Sequence, residues 1–148
     1  MMRFFQWLFS ASTDAGAGAR GERIAAEWLQ RERRFSIVTK NWRSPRDRRL
    51  EIDLVGRDGE VLVFVEVKAR AAGSLVPGYH AVDRRKKRAL RRAIESYLAH
   101  LAEKPRTFRF DVVEIEFPAA GRHPGLPPAE PAVLHFENVP LFSKYFRG

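Results

Sequence analysis

The stretch that decides the fold is Leu50-Glu51-Ile52-Asp53-Leu54-Val55-Gly56-Arg57-Asp58-Gly59-Glu60-Val61-Leu62-Val63-Phe64-Val65-Glu66-Val67-Lys68. Two apolar runs, Leu50 to Val55 and Val61 to Val67, flank an Asp58-Gly59 dipeptide. That dipeptide between such runs is the strongest short-range signal for a tight β-hairpin. The second run is apolar on both faces until Glu66, as suits a strand at the centre of a sheet. A two-residue turn at Asp58-Gly59 pairs Arg57 with Glu60, which sets Asp53 opposite Phe64 and Glu51 opposite Glu66. Residues directly opposed, or two apart along a strand, share a sheet face. Asp53, Phe64, Glu66 and Lys68 are therefore expected on one face, with Asp53 and Glu66 as diagonal neighbours roughly 7–8 Å apart at the backbone.

An acid and then a lysine on the face of a buried strand need a partner or a metal. A salt bridge of Lys68 with Glu66 or Asp53, at the strand end where solvent begins, is one answer. The other is a divalent cation held by Asp53 and Glu66. Hard oxygen donors with few nitrogens favour Mg²⁺ or Mn²⁺ over zinc. Lys68 would then orient or help deprotonate an attacking water, or stabilise charge at phosphorus. Glu22 is a fourth candidate. It lies one helical turn before Ala25 and Ala26 and two before Leu29, at the edge of the helix's inward face. Equally, it is a first-turn acid that complements the helix dipole.

Working outward from the hairpin, Ala15 to Gly21 is rich in small residues and leads into a helix carrying Ile24, Ala25, Trp28 and Leu29 at helical spacing. Phe35 to Trp42 reads as a short strand, and Ser44 to Arg49 as a basic loop containing Pro45. Beyond the hairpin, Ala71 to Ala81 is a loop with Gly73, Pro77 and Gly78, and Asp83 is placed to cap a long helix. The apolar stripe of that helix is Ala89, Leu90, Ala93, Ile94, Tyr97, Leu98 and Leu101, with Pro105 beyond its end. Thr107 to Phe117 predicts a strand in which Phe108, Phe110 and Val112 alternate with Arg109 and Asp111, and Val133 to Val139 predicts a last strand. Between them lies a proline-rich loop over 118–132. The order α-β-β-β-α-β plus an extra C-terminal strand predicts an α/β fold, a mixed β-sheet with flanking helices. The domain is expected over 15–148, behind an aromatic tail at 1–14.

The size, 148 residues, suits one domain, and a hydrophobic share of 45% can build a core. The net charge of +9, from 27 Lys plus Arg against 18 Asp plus Glu, points to a polyanionic partner. Arg84, Arg85, Lys86, Lys87, Arg88, Arg91 and Arg92 crowd the second helix, mostly off its apolar stripe, and only Asp83 and Glu95 oppose them. Arg43, Arg46, Arg48 and Arg49 lead into the Asp53 strand, and Arg70 follows Lys68. These cations are expected to hold nucleic-acid backbone phosphates, which position a protein but carry no base reading. The absence of cysteine removes disulfides, thiolate zinc sites and cysteine nucleophiles, and fits a cytoplasmic protein. No apolar run approaches the roughly 20 residues of a membrane span. The start, Met1 to Phe9, is a poor signal peptide because it has one basic residue and is broken by Gln6. His80, His100, His123 and His135 lack metal-ligand spacing, and Trp7, Trp28 and Trp42 read as packing or partner-contact residues.

Asp53, then twelve intervening residues and Glu66-Val67-Lys68, resembles the PD-(D/E)xK nuclease signature. Its surroundings make the match more specific. They are Gly21-Glu22, Asn41, Arg43, Glu51-Ile52-Asp53-Leu54, Phe64 to Arg70, Val82, Lys86, Tyr97-Leu98 and Arg109-Phe110-Asp111-Val112-Val113. In that order they resemble the YraN-like family of bacterial proteins, the UPF0102 group, over about residues 18 to 117, with a weaker echo at His135 to Asn138. Leu50 departs from the glycine usual there, and the aromatic start and proline-rich loop lie outside the pattern. The family is similar to archaeal Holliday junction resolvases. The resemblance implies a restriction-endonuclease-like core and a site of Glu22, Asp53, Glu66 and Lys68. It further implies that the three acids hold Mg²⁺ or Mn²⁺, that the substrate is DNA, branched or damaged, and that a homodimer is compatible. The alternative is a nucleic-acid-binding module, or an adaptor for an acidic protein, that keeps the site without using it.

Overall fold

The computed structural model describes residues 15–71, 84–119 and 129–143. Two helices, α1 (Ala15–Arg33) and α2 (Arg84–His100), accompany strands β1 (Ser36–Arg43), β2 (Glu51–Asp58), β3 (Val61–Ala71), β4 (Phe108–Phe117) and β5 (Ala132–Phe136). The strands form one sheet in the order β1-β2-β3-β4-β5. All neighbours are antiparallel except β3 and β4, which are parallel and joined through α2. This is the mixed α/β arrangement expected, compatible with a restriction-endonuclease-like core. The tail 1–14, the loop carrying His80 and Asp83, and most of the proline-rich loop, with His123, lie outside the described residues.

Successive residues of β3 feed two cores, which is why its sequence is apolar on both faces. Leu62 and Phe64 join Leu90, Ala93, Ile94, Tyr97 and Leu98 of α2. Val63 and Val65 join Ala25, Ala26 and Leu29 of α1. The predicted stripe of α2 is the buried one, and Trp42 stands edge-on to Tyr97 with ring centroids 5.1 Å apart. Trp28, the other described tryptophan, also packs internally, against His135.

The hairpin turns one residue later than the sequence reading placed it. Asp58 pairs with Val61, so the turn is Gly59-Glu60 and the register is Val55 with Phe64 and Leu54 with Val65. Arg57 faces Leu62, not Glu60. Gly59 takes the first turn position at φ 57, a conformation only glycine adopts freely, whereas a type I′ turn at Asp58-Gly59 would ask a positive φ of Asp58 as well, which Asp58 does not adopt. The register moves by two residues, so the face assignments survive. Asp53 falls at the level of Glu66 rather than Phe64, and the diagonal relation becomes a direct one.

On the α1 side a fully buried carboxylate ties the last strands together. Asp111 accepts hydrogen bonds from Arg109 Nε at 2.9 Å and the Asn138 backbone N–H at 2.9 Å, and lies 2.9 Å from His135 Nε2. Arg109 also reaches Asp58 at 2.9 Å, so the hairpin end, β4 and the end of β5 share one network. Burial would raise the Asp111 carboxyl, but the bonds from His135, Arg109 and Asn138 outweigh it and hold the group below the usual carboxylate range.

Two stability predictions follow from this packing. An added Cβ at Gly21 would stand 3.1 Å from Ala69 Cβ, so Gly21→Val pushes α1 off β3 and is expected to cost about 1–3 kcal/mol, read as a lower Tm. Asp111→Asn leaves the part-buried Arg109 with Asp58 alone and turns an amide N–H₂ towards donors that need an acceptor, and is expected to cost about 3 kcal/mol at neutral pH. Because the folded Asp111 value is depressed, its contribution is present above about pH 4 and is lost as pH falls through the folded value. Wild type and Asp111→Asn should therefore converge in Tm on acidification.

Candidate functional site

The site forms where β2 and β3 part. Their ladder ends at Leu54–Val65. Leu54 packs in the α1-side core, yet Ile52, two residues earlier, packs in the α2-side core, so β2 turns about its axis at Asp53. On the other flank of β2, Asn41 holds φ 50 between the Lys40–Leu54 and Trp42–Ile52 pairs. The Asp53 carboxylate enters the gap and accepts a hydrogen bond from the Val67 N–H at 2.8 Å. A side chain thus replaces the missing ladder partner and aims Asp53 at the Glu66 end of β3.

Glu66 is 3% exposed. Two ammonium groups meet its Oε1: Lys68 Nζ at 2.8 Å and Lys86 Nζ at 3.1 Å. Lys68 comes from the same strand face, two residues on. Lys86 comes from the first turn of α2, across the parallel crossover. Burial would raise the Glu66 carboxyl, but Lys86 and Lys68 outweigh burial and keep it ionised and below its ordinary range. Asp53 behaves in the opposite way. Burial, and then the Glu66 charge, push it up to about 8, against the Val67 N–H and Lys86. Two adjacent acids thus divide: Glu66 keeps its charge and Asp53 keeps a proton near neutral pH.

Glu22 sits half-buried on α1, directly after Gly21, whose missing Cβ lets the helix approach Ala69 and Val67. Its charge reaches Asp53 and helps raise it. The structure thus brings Asp53, Glu66 and Lys68 together and leaves Glu22 at the margin. Among the described residues no three acidic or histidine side chains close around a common point. Mg²⁺ does not require such a cage: it retains waters and is held by one or two carboxylates plus substrate phosphates. The pair Asp53 and Glu66 fits that donor set.

The structure also joins the two basic stretches. Ser44 Oγ lies 2.8 Å from Ser96 Oγ of α2, and Asp47 lies 3.9 Å from Arg92, so the loop 44–50 is held against the helix. Arg46, Arg48 and Arg49 on the loop and Arg84, Arg85 and Arg88 on α2 are exposed, while Lys87 and Arg91 are half-buried. Arg43 pairs with Glu51, and Arg49 with Asp47, in exposed contacts that exchange easily with solvent or phosphate. Arg70 differs from them. It is 14% exposed and paired with Glu114 at 3.1 Å, which ties β3 to β4. Lys86 likewise turns to Glu66 rather than standing with the exposed arginines of α2. Its spacing carries the signal: it stands four residues before Leu90 and seven before Ala93, on the line of the apolar stripe.

The raised Asp53 value sets a pH dependence for the metal-free protein. The folded state favours the proton, so the stabilisation is full below the unfolded value near pH 4 and is lost as pH rises towards about 8. Tm of the wild type should fall across that window, and Asp53→Asn, which has no proton to lose, should flatten the fall.

Residues 21–115 match the model of a family described as "Uncharacterised protein family UPF0102". A UPF0102 protein of Beutenbergia cavernae is 44% identical over 104 residues, covering 70% of this chain and 85% of the relative. One from Geobacter metallireducens is 40% identical over 100 residues, covering 68% and 79%. Another, from Anaeromyxobacter dehalogenans, is 40% identical over 119 residues, covering 80% and 79%. The matched segment opens at the glycine before Glu22 and closes in β4, so it contains Asp53, Glu66, Lys68 and Lys86 together with the strands and helix that aim them; the chain belongs to the UPF0102 family.

Proposed function

We propose that the protein is a metal-dependent endonuclease that hydrolyses phosphodiester bonds in DNA, with branched or damaged DNA as its substrate class. The cytoplasm is the proposed compartment; among the described residues no helix is long and apolar enough to cross a membrane. A homodimer is compatible with this reading. The observation that carries it is Glu66: a carboxylate 3% exposed, beside Asp53, with two lysines on one oxygen. A fold that needed only stability would fill this place with an apolar residue, since a buried ion pair is weak support for stability.

Asp53 and Glu66 would hold Mg²⁺ or Mn²⁺, with Glu22 within electrostatic reach. When bound, such an ion supplies Lewis-acid polarisation of the phosphate and a water acidified for attack. Lys68, whose Nζ lies 2.8 Å from Glu66, would donate to the attacking water or to a phosphate oxygen. The exposed arginines of α2 and of the loop 44–50 neutralise the flanking backbone and hold the duplex without reading its bases. A second reading, a nucleic-acid-binding module without cleavage, is favoured by one observation, the lack of a three-acid cluster among the described residues.

The two readings separate in one assay. Purified protein with Mg²⁺ or Mn²⁺ is tested on junction, flap, single-stranded and duplex DNA, beside Asp53→Asn and Lys68→Ala. A nuclease loses about 10²-fold or more in rate in each variant. Equal residual cleavage in all three proteins marks a contaminant and removes the enzyme reading. Binding that weakens with salt, with no cleavage, favours the module, and Arg88→Ala should then lower the salt slope by about 1 if it contacts one phosphate.

A further inference from the structure

We propose that Lys86 is a built-in competitor for the divalent cation: its ammonium holds the cation's place on Glu66 in the metal-free protein and yields it when the metal binds. The inference rests on the metal-binding reading of Asp53 and Glu66 given above.

The geometry singles out Lys86. A carboxylate oxygen offers two lone-pair directions, and at Glu66 Oε1 Lys68 and Lys86 take both, at 2.8 and 3.1 Å. A cation binding through that oxygen must displace one of them. Lys68 already provides the buried carboxylate with a counter-charge from its own strand, so the second ammonium exceeds what neutralising Glu66 requires. Lys86 also feels Asp53 and Glu51 as well as Glu66, so the field that favours its charge is the field of the acids a divalent ion would join. The two lysines differ in how they are held. Lys68 lies on β3, fixed by ladders on β4 and packed between two cores. Their stems are the same and their side chains equally exposed, 25% and 24%, but Lys86 is the third residue of α2, in a first turn whose backbone N–H groups have no helical partner, so its anchor is the looser one. It can withdraw towards the arginine surface that receives phosphate while Lys68 stays in place. A divalent ion beside Glu66 would repel the Lys86 ammonium, so occupancy by one opposes occupancy by the other.

The test is Mn²⁺ binding by isothermal titration calorimetry at fixed pH and salt, with wild type, Lys86→Gln, Lys86→Arg and Asp53→Asn. The glutamine keeps a donor for Glu66 and removes the competing charge, so the fold is retained; arginine keeps the charge. Lys86→Gln is expected to bind Mn²⁺ about tenfold tighter than wild type, a difference of about 1.4 kcal/mol, with Lys86→Arg close to wild type or weaker. Mn²⁺ should also raise the Tm of Lys86→Gln more than that of wild type at equal concentration. Unchanged or weaker Mn²⁺ binding by Lys86→Gln, in a protein whose binding is abolished by Asp53→Asn, overturns the competition and leaves the metal site standing. Wild type that binds no Mn²⁺ overturns both. Tighter binding by Lys86→Gln without DNA cleavage supports the competition and removes only the nuclease reading.

Discussion

Glu66 is the point on which the rest of the structure turns, because a charge at 3% exposure requires that its surroundings be built for it. Lys68 must follow it on the same strand face. Helix α2 must start where Lys86 can reach across the parallel crossover. Strand β2 must leave β3 after Leu54–Val65 so that Asp53 can enter and take the Val67 N–H. Each of these is a departure from a plain sheet, and all of them meet at one carboxylate.

Glu66 shares the sheet with the buried carboxylates Asp111 and Glu114, and the contrast with Asp111 is instructive. Asp111 faces the α1 side, and its partners are a guanidinium fork, a ring that packs against Trp28 and Phe35, and a backbone N–H. Those groups are rigid, and the bonds lock β4, β5 and the hairpin end together. Glu66 is held by ammonium groups on flexible stems, beside an acid that burial keeps protonated to about pH 8. Rigid donors make a clamp. Exchangeable donors leave a carboxylate that can change partners, which is what the proposed metal site requires.

Much of this was legible in the chain itself. The apolar alternation named every described element and the order of the hairpin, the crossover helix and the return strand. The face shared by Asp53, Glu66 and Lys68 was legible too, since it depends only on the two-residue period of a strand. The exact turn was not, because Asp58-Gly59 and Gly59-Glu60 are both acceptable pairs, and they are separated by Asp58, which does not take the positive φ that a type I′ turn would ask of it. Lys86 was hidden within a run of five cations, where charge suggested surface and only its alignment with Leu90 and Ala93 suggested otherwise.

The sequence by itself determined the mixed sheet, the buried central strand and the cluster of three site residues, because these follow from local periodicity and from the chemistry of adjacent side chains. Tertiary structure alone decided that β2 and β3 separate at Asp53, that Lys86 joins Glu66, and that the loop 44–50 and α2 form one basic surface. Those features depend on contacts between segments far apart in the chain, whose geometry is set by how helices pack on a twisted sheet and by which charges burial forces into company.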